Sequence, residues 1–341
     1  MSHFKRFLTV LAVMLAIGLA FVVSWVQLPY YSLGPGPARD VEPLIQVSGH
    51  QEFPSPGELI MTTVRFHTVS VLGALVAWLD PHQAVVSERT LYPADETAEQ
   101  ETQRSLSQMD QSKIDATYVV LRRLEGYPDV HGDGALIEFV YPGCPAEGKL
   151  FAGDIVHEID GQPIHTQAGA SAALDAAPVH ATITFQVEAA GETHDVRVAR
   201  GTCPGTDRPL IGINLIDSFP FDVEISSGDV GGPSAGLMWA LGLYDLLTPG
   251  DLTGGRTIAG TGTIDTRGRV GPIGGIEDKV VGAERAGADL FLVPADNMDE
   301  LRGVDTGDMR LVSVRTFQDA LDALGTSGSG SASPSVASPI G

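Results

Sequence analysis

The sequence predicts an α/β (α+β) catalytic domain that is interrupted by an inserted strand-rich domain and preceded by one N-terminal transmembrane helix. Three observations predict it. Residues 226–238 form a Gly- and Pro-dense turn that runs directly into the apolar helical pattern of residues 237–247. Residues 135–200 change character, alternating in short strands around tight Gly-containing turns. Residues 7–26 are almost wholly apolar, long enough for a helix to cross a bilayer.

A chain of 341 residues is long enough for about two domains. The expected division is 1–27 as cytoplasmic tip and anchor, 28–120 as an N-terminal segment and 121–202 as the inserted domain. Residues 205–325 form the catalytic domain, and the Ser-, Ala-, Gly- and Pro-rich tail 326–341 is expected to be disordered. The formal charge of −22 argues against nucleic acid as a partner and for a soluble, self-repelling surface. No Gly-x-x-x-x-Gly-Lys-Ser/Thr cradle occurs, and Gly260-Thr261-Gly262 lacks the third glycine of a dinucleotide loop. No nucleotide and no other cofactor is therefore expected.

From the start of the chain, Lys5 and Arg6 precede the apolar run and no further basic residue follows until Arg39. The positive-inside bias puts the N-terminus in the cytoplasm, so a single-pass cell-membrane protein with an extracytoplasmic catalytic part is expected. A cleaved signal peptide competes with this reading, but the run is longer than a usual signal core and no clean Ala-x-Ala site follows it. Residues 30–43, rich in Pro and Gly, read as an extended connector. Residues 58–64 read as a strand and 70–79 as a helix stopped by Asp80-Pro81. Residues 95–123 are helix-permissive, with Leu106, Met109, Lys113 and Ile114 too sparse for a strong apolar stripe.

In the inserted domain, residues 135–140 form a strand and 142–146 enter a short turn and helix. Residues 150–164 alternate up to Asp160-Gly161, 168–177 suit a helix, and 181–188 and 193–199 suit two strands around Ala190-Gly191. Cys144 and Cys203 are the two cysteines. Outside a reducing compartment they can pair, or remain separate thiols; the sequence leaves both open. His157, His165, His180 and His194 are scattered, and no zinc-protease motif occurs, so no metal is expected. A Ser-His-Asp triad would have to draw its histidine from upstream, because none follows Ser234.

The chemistry concentrates in two stretches. Ser234 stands at the mouth of an apolar helix, where free N–H groups and a positive dipole suit a nucleophile and its oxyanion, although helix capping is the simpler role for a serine there. Lys279 lies 45 positions later. Ile276, Val280, Ala283 and Ala286 give its helix one apolar face, ended by Gly287. Ile273, Ile276, Val280 and Val281 surround the lysine with apolar side chains. Glu277 and Asp278 suit the helix N-terminus rather than the face that Lys279 occupies. Arg267 and Arg269 read as a solvated turn. Residues 289–294 then form a strand and 316–324 a final helix.

Gly232-Pro233-Ser234-Ala235-Gly236, Thr261-Gly262-Thr263-Ile264 and Gly274-Gly275-Ile276-Glu277-Asp278-Lys279 resemble, in order and spacing, the proteolytic domain of Lon-type serine proteases. That family usually carries Asp where this chain has Gly231. Pro145-Ala146, Leu150-Phe151-Ala152-Gly153-Asp154-Ile155 and Asp160-Gly161-Gln162-Pro163-Ile164 resemble a bacterial PDZ domain. Together with the apolar run, they make the chain similar to a membrane-anchored, PDZ-containing Lon-like family (the YlbL type). In that family the N-terminal segment packs with the protease domain across the PDZ insertion.

The resemblance implies an ATP-independent serine endopeptidase in which Ser234 attacks and a neutral Lys279 takes its proton. Thr261 orients the lysine, and the amides of the Gly231–Ser234 turn, those of Gly231 and Gly232 among them, are the candidate oxyanion donors. It implies peptide or protein substrates, captured partly where an extended peptide adds beside Leu136, Ile137 and Phe139. It further implies a homo-oligomer in the form of a hexameric ring. The alternatives are a catalytically vestigial PDZ binding scaffold, in which the inserted domain works alone, and a Ser-Lys amidase acting on cell-wall material.

Overall fold

The computed structural model describes residues 2–80, 83–91 and 97–325. The tail expected over 326–341 lies outside the described residues. The transmembrane part of the predicted fold class is overturned. The helix that forms there runs Ser2–Trp25 and takes in polar residues at its start and at Thr9 and Ser24. Among the described residues, no helix is long and apolar enough to cross a membrane. A span needs about 20 consecutive apolar residues.

The main sheet has six strands in the order Arg310–Val314, Leu290–Pro294, Thr257–Gly260, Glu58–Ser70, Gln27–Asp40 and Ala84–Ser87. The first four run parallel, and the last two pair antiparallel. The strand Gln27–Asp40 corrects the connector reading of that stretch. Its prolines are accommodated because the register shifts between Pro35 and Ala38, so the ladder does not demand a donor at every position. The N-terminal segment therefore supplies half of the sheet, with Ile60 opposite Ala259 and Met61 opposite Gly260.

Period-2 alternation sends side chains to opposite faces of this sheet. Leu59, Met61, Ile258, Leu290 and Leu292 join a core with Trp239 of the helix Gly236–Leu247 and with Met109 of the helix Ala98–Leu124. Ile60, Ala259, Phe291 and Val293 pack on the other face against Ile276 and Val280 of the helix Ile276–Arg285. All of Gly236–Leu247 except Tyr244 is buried. Each large apolar side chain there contributes roughly 1.5–3 kcal/mol on burial. The helix Ala98–Leu124 begins in a capping box between Thr97 and Gln100. Its stripe reads weakly in the sequence because the buried face includes Ser112 and Thr117.

A second, antiparallel sheet has the order Ile213–Asp217, Ala135–Val140, Ile155–Ile159, Thr182–Ala189 and Glu192–Ala199, with Gln162–Pro163 beside Ile155–Ile159. The helix Gln167–Ala176 covers it, and Ile137, Val156, Ile183, Phe185 and Val198 fill its core. Its outer strand Ile213–Asp217 comes from beyond residue 202, the boundary expected for this unit. Cys144 and Cys203 form a disulfide that ties the turn after Ala135–Val140 to the hairpin Gly201–Cys203/Thr206–Leu210.

Candidate active site

The strand Thr257–Gly260 ends where two helices meet from opposite faces of the main sheet. The short turn Pro233–Ala235 and the helix Gly236–Leu247 bring Ser234 to one side. The helix Ile276–Arg285 brings Lys279 to the other. Gly275, which precedes that helix, has φ +67°, and a Cβ there would lie 2.7 Å from Val64 Cγ2. Only glycine both adopts the left-handed turn and lets the helix start that close to the strand.

Lys279 Nζ lies 2.6 Å from Ser234 Oγ and 3.0 Å from Thr261 Oγ1. Thr261 Oγ1 in turn donates to the Ser234 carbonyl at 2.9 Å, and the Gly262 N–H donates to the same oxygen at 2.8 Å. The threonine just past the strand end thus holds both the main chain of the serine and the amine of the lysine. Lys279 is 3 % exposed, and burial lowers its pKa from 10.5 to about 8. Ile276 and Val280 beside it are buried, whereas Glu277 is exposed on the outer side of the helix. The low dielectric disfavours the ammonium form, which leaves the amine able to accept a proton near neutral pH.

The cleft in front of the pair encloses about 540 Å³ between Thr62–Phe66 of the strand Glu58–Ser70 and Glu101–Met109 of the helix Ala98–Leu124. No histidine among the described residues lines it. Among the described residues no cluster of His, Cys, Asp or Glu is placed to hold a metal. Arg269 is exposed and paired with Asp265, away from the cleft.

Two expectations need correction. The Gly232 N–H donates to the Ser105 carbonyl at 2.7 Å and is not aimed at the cleft. It is unavailable to an oxyanion, whereas Gly231, Ser234 and Ala235 still line the cleft. Leu136 and Ile137 are hydrogen-bonded on both sides, to Ile213–Asp217 and to residues 153–155, and Phe139 pairs with Asn214 of the first of these. Leu136 and Ile137 are also buried. A strand paired on both edges cannot accept a third; the open edge beside the helix Gln167–Ala176 belongs to Ile213–Asp217.

Three residues at the site were not singled out from the sequence. Ser105 and Ser112 touch the turn around Ser234 from the helix Ala98–Leu124. Thr62 lines the cleft with a buried hydroxyl that has no hydrogen-bond partner. All three lie more than a hundred positions before Ser234, and no local motif marks them.

A serine with a buried lysine at hydrogen-bond distance, beside a cleft, is suited to the acyl-transfer chemistry that peptidases use. Comparison with known proteins supports that class. Residues 218–325 match the Lon protease (S16) C-terminal proteolytic domain. Over 83 residues the chain is 43 % identical to Lon protease 2 of Herpetosiphon aurantiacus, covering 24 % of this chain and 10 % of that protein. Over 125 residues it is 37 % identical to the Lon protease of Clostridium beijerinckii, covering 35 % of this chain and 15 % of the relative. The chain thus spans a minor part of the length of the curated relatives it matches. The PDZ domain of an SdrC-like protein from Listeria innocua is similar at 25 % identity and a TM-score of 0.23, covering 24 % of this chain and 93 % of that domain. The Lon-type likenesses support a serine protease.

Proposed function

We propose that this chain is a serine endopeptidase working through a Ser234–Lys279 dyad. The observation that carries the reading is the 2.6 Å approach of a 3 % exposed lysine, with its pKa lowered to about 8, to the serine hydroxyl. Neutral Lys279 Nζ accepts the Ser234 proton as Oγ bonds to the scissile carbonyl carbon. The resulting ammonium gives that proton to the leaving amine as the C–N bond breaks, leaving an acyl-serine. Water then attacks the ester carbonyl, losing a proton to Lys279, and Ser234 takes the proton back as it leaves. Thr261 keeps the lysine lone pair directed at Oγ. The Ser234 N–H lies in the first helical turn, where N–H groups are left unpaired, and is the donor best placed for the oxyanion. No step consumes a nucleotide.

Protein substrates are captured partly on the open edge of Ile213–Asp217, as an added strand beside the helix Gln167–Ala176. A groove of about 650 Å³, lined by Ser171, Leu174, Ile211 and Ile213, supports this placement. The Cys144–Cys203 disulfide supports an oxidising compartment outside the cytoplasm as the site of action. The deciding experiment is hydrolysis of a peptide library by the purified protein and by Ser234→Ala, without nucleotide. Cleavage only by the wild type is expected; equal cleavage by a well-folded Ser234→Ala would overturn the dyad.

A further inference from the structure

The helix Ala98–Leu124 lies outside the residues that match the proteolytic domain, yet it meets the nucleophile turn at successive points. Its Ser105 carbonyl accepts the Gly232 N–H at 2.7 Å. Two turns further on, the Ser112 hydroxyl donates to the Pro233 carbonyl at 3.0 Å. Positions seven apart share one helix face, and Met109 between them accepts from Trp239 Nε1 at 3.4 Å. The fit leaves no room for side chains opposite. A Cβ at Gly231 would collide with Ser105 Oγ, and one at Gly236 would lie 2.7 Å from Ser112 Oγ. The absence of a side chain at position 231 thus has a steric cause, because the helix occupies that space.

Ser112 is 2 % exposed, and its contact falls on the peptide that joins Pro233 to Ser234. A trans peptide is planar, with its C=O and N–H pointing in opposite directions. Holding the Pro233 oxygen toward the helix therefore turns the Ser234 N–H away from it. The same bond fixes the position from which Oγ leaves the Ser234 backbone. Thr261 and Gly262 secure the next carbonyl, that of Ser234 itself. The two peptides flanking the serine are thus held by different elements, one earlier and one later in the chain.

We propose that Ser112 is a positioning residue for the reaction: through the Pro233 carbonyl it aims both the Ser234 hydroxyl and the Ser234 N–H. The inference rests on the reading of Ser234 as the nucleophile. It predicts a loss that falls on the transition state rather than on substrate binding, because the oxyanion forms only after attack. The fold itself should survive loss of the hydroxyl, since the Pro233 oxygen also accepts the Gly236 N–H.

The test compares kcat and KM on a reporter peptide for the full chain, Ser112→Ala, Ser112→Thr, Ser112→Val and Ser234→Ala, with unfolding midpoints for each. Ser112→Ala should lower kcat about ten-fold, with KM within about two-fold, since a mis-aimed donor costs less than its outright removal at 10²–10³. Threonine and valine have the same shape and differ in the donor, so any crowding is common to both. Ser112→Thr should be about ten-fold faster than Ser112→Val. Equal kcat for that pair, or an unchanged kcat in Ser112→Ala, would overturn the proposal while leaving the dyad intact. Activity surviving in Ser234→Ala would instead remove the dyad on which it rests.

Discussion

Replacing Lys279 by methionine removes the proposed base and its ionisation while keeping an unbranched apolar stem in the buried site. Between the ordinary 10.5 and about 8, the folded protein disfavours the ammonium form by about 3 kcal/mol, at about 1.4 kcal/mol per pH unit. The sign follows from proton counting. Below pH 8 the folded and unfolded states both carry the proton, and the desolvation cost is present in full. Between about pH 8 and 10.5 the unfolded chain binds more protons, so stability rises with pH; above that range the cost is gone. Urea unfolding of wild type and Lys279→Met at pH 6 and pH 10.5 isolates this contribution, because all other groups are common. The wild type should gain up to about 3 kcal/mol relative to the variant between the two pH values. In parallel, wild-type kcat/KM should rise about ten-fold per unit below pH 8 and level off above it, since the neutral amine is the active form. Lys279→Met and Lys279→Arg should both be inactive throughout, as arginine retains its charge. A flat wild-type profile from pH 6 to 10, or parallel stability curves for wild type and methionine, would refute the buried-base argument.

Thr261→Val should lower kcat about ten-fold with little change in KM, because the lysine amine loses an orienting partner; retained kcat in steady-state assays would show that packing alone holds Lys279. Burial and the neighbouring Asp245 raise the Glu42 pKa to about 8, and the two carboxyls share a buried site where Glu42 Oε1 and Asp245 Oδ2 have no other partner. The folded state therefore holds a proton that the unfolded chain releases near pH 4.5, so stability should fall from about pH 4.5 to 8. Glu42→Gln should flatten that fall in unfolding measured across the range. Reducing the Cys144–Cys203 bridge, or replacing both cysteines by serine, should destabilise the inserted unit by about 2–4 kcal/mol. A melting temperature unaffected by reductant would contradict that.

The proposed Ser234–Lys279 pair was legible because its signals are local. Gly232 to Gly236 and Gly274 to Lys279 are short stretches whose glycines, helix starts and apolar spacing specify a turn and a buried helix face by themselves. The apolar positions Ile276 and Val280 likewise announce the desolvation that lowers the lysine pKa. What only the tertiary structure decided involves partners distant in the chain. Gln27–Asp40 reads as a connector because its prolines conceal a strand that exists only when paired with Glu58–Ser70. Which strand forms the edge of the second sheet depends on Ile213–Asp217 returning beside Ala135–Val140, and a hydrogen-bonding neighbour leaves no periodic mark in either segment. Ser105 and Ser112 look like ordinary polar positions on a solvated helix until the turn at Gly231–Ser234 closes over them. The physical reason is range: backbone conformation and face alternation are set by neighbours along the chain, whereas a ladder partner, a filled cavity or an occupied N–H is set by whatever packing brings from far away.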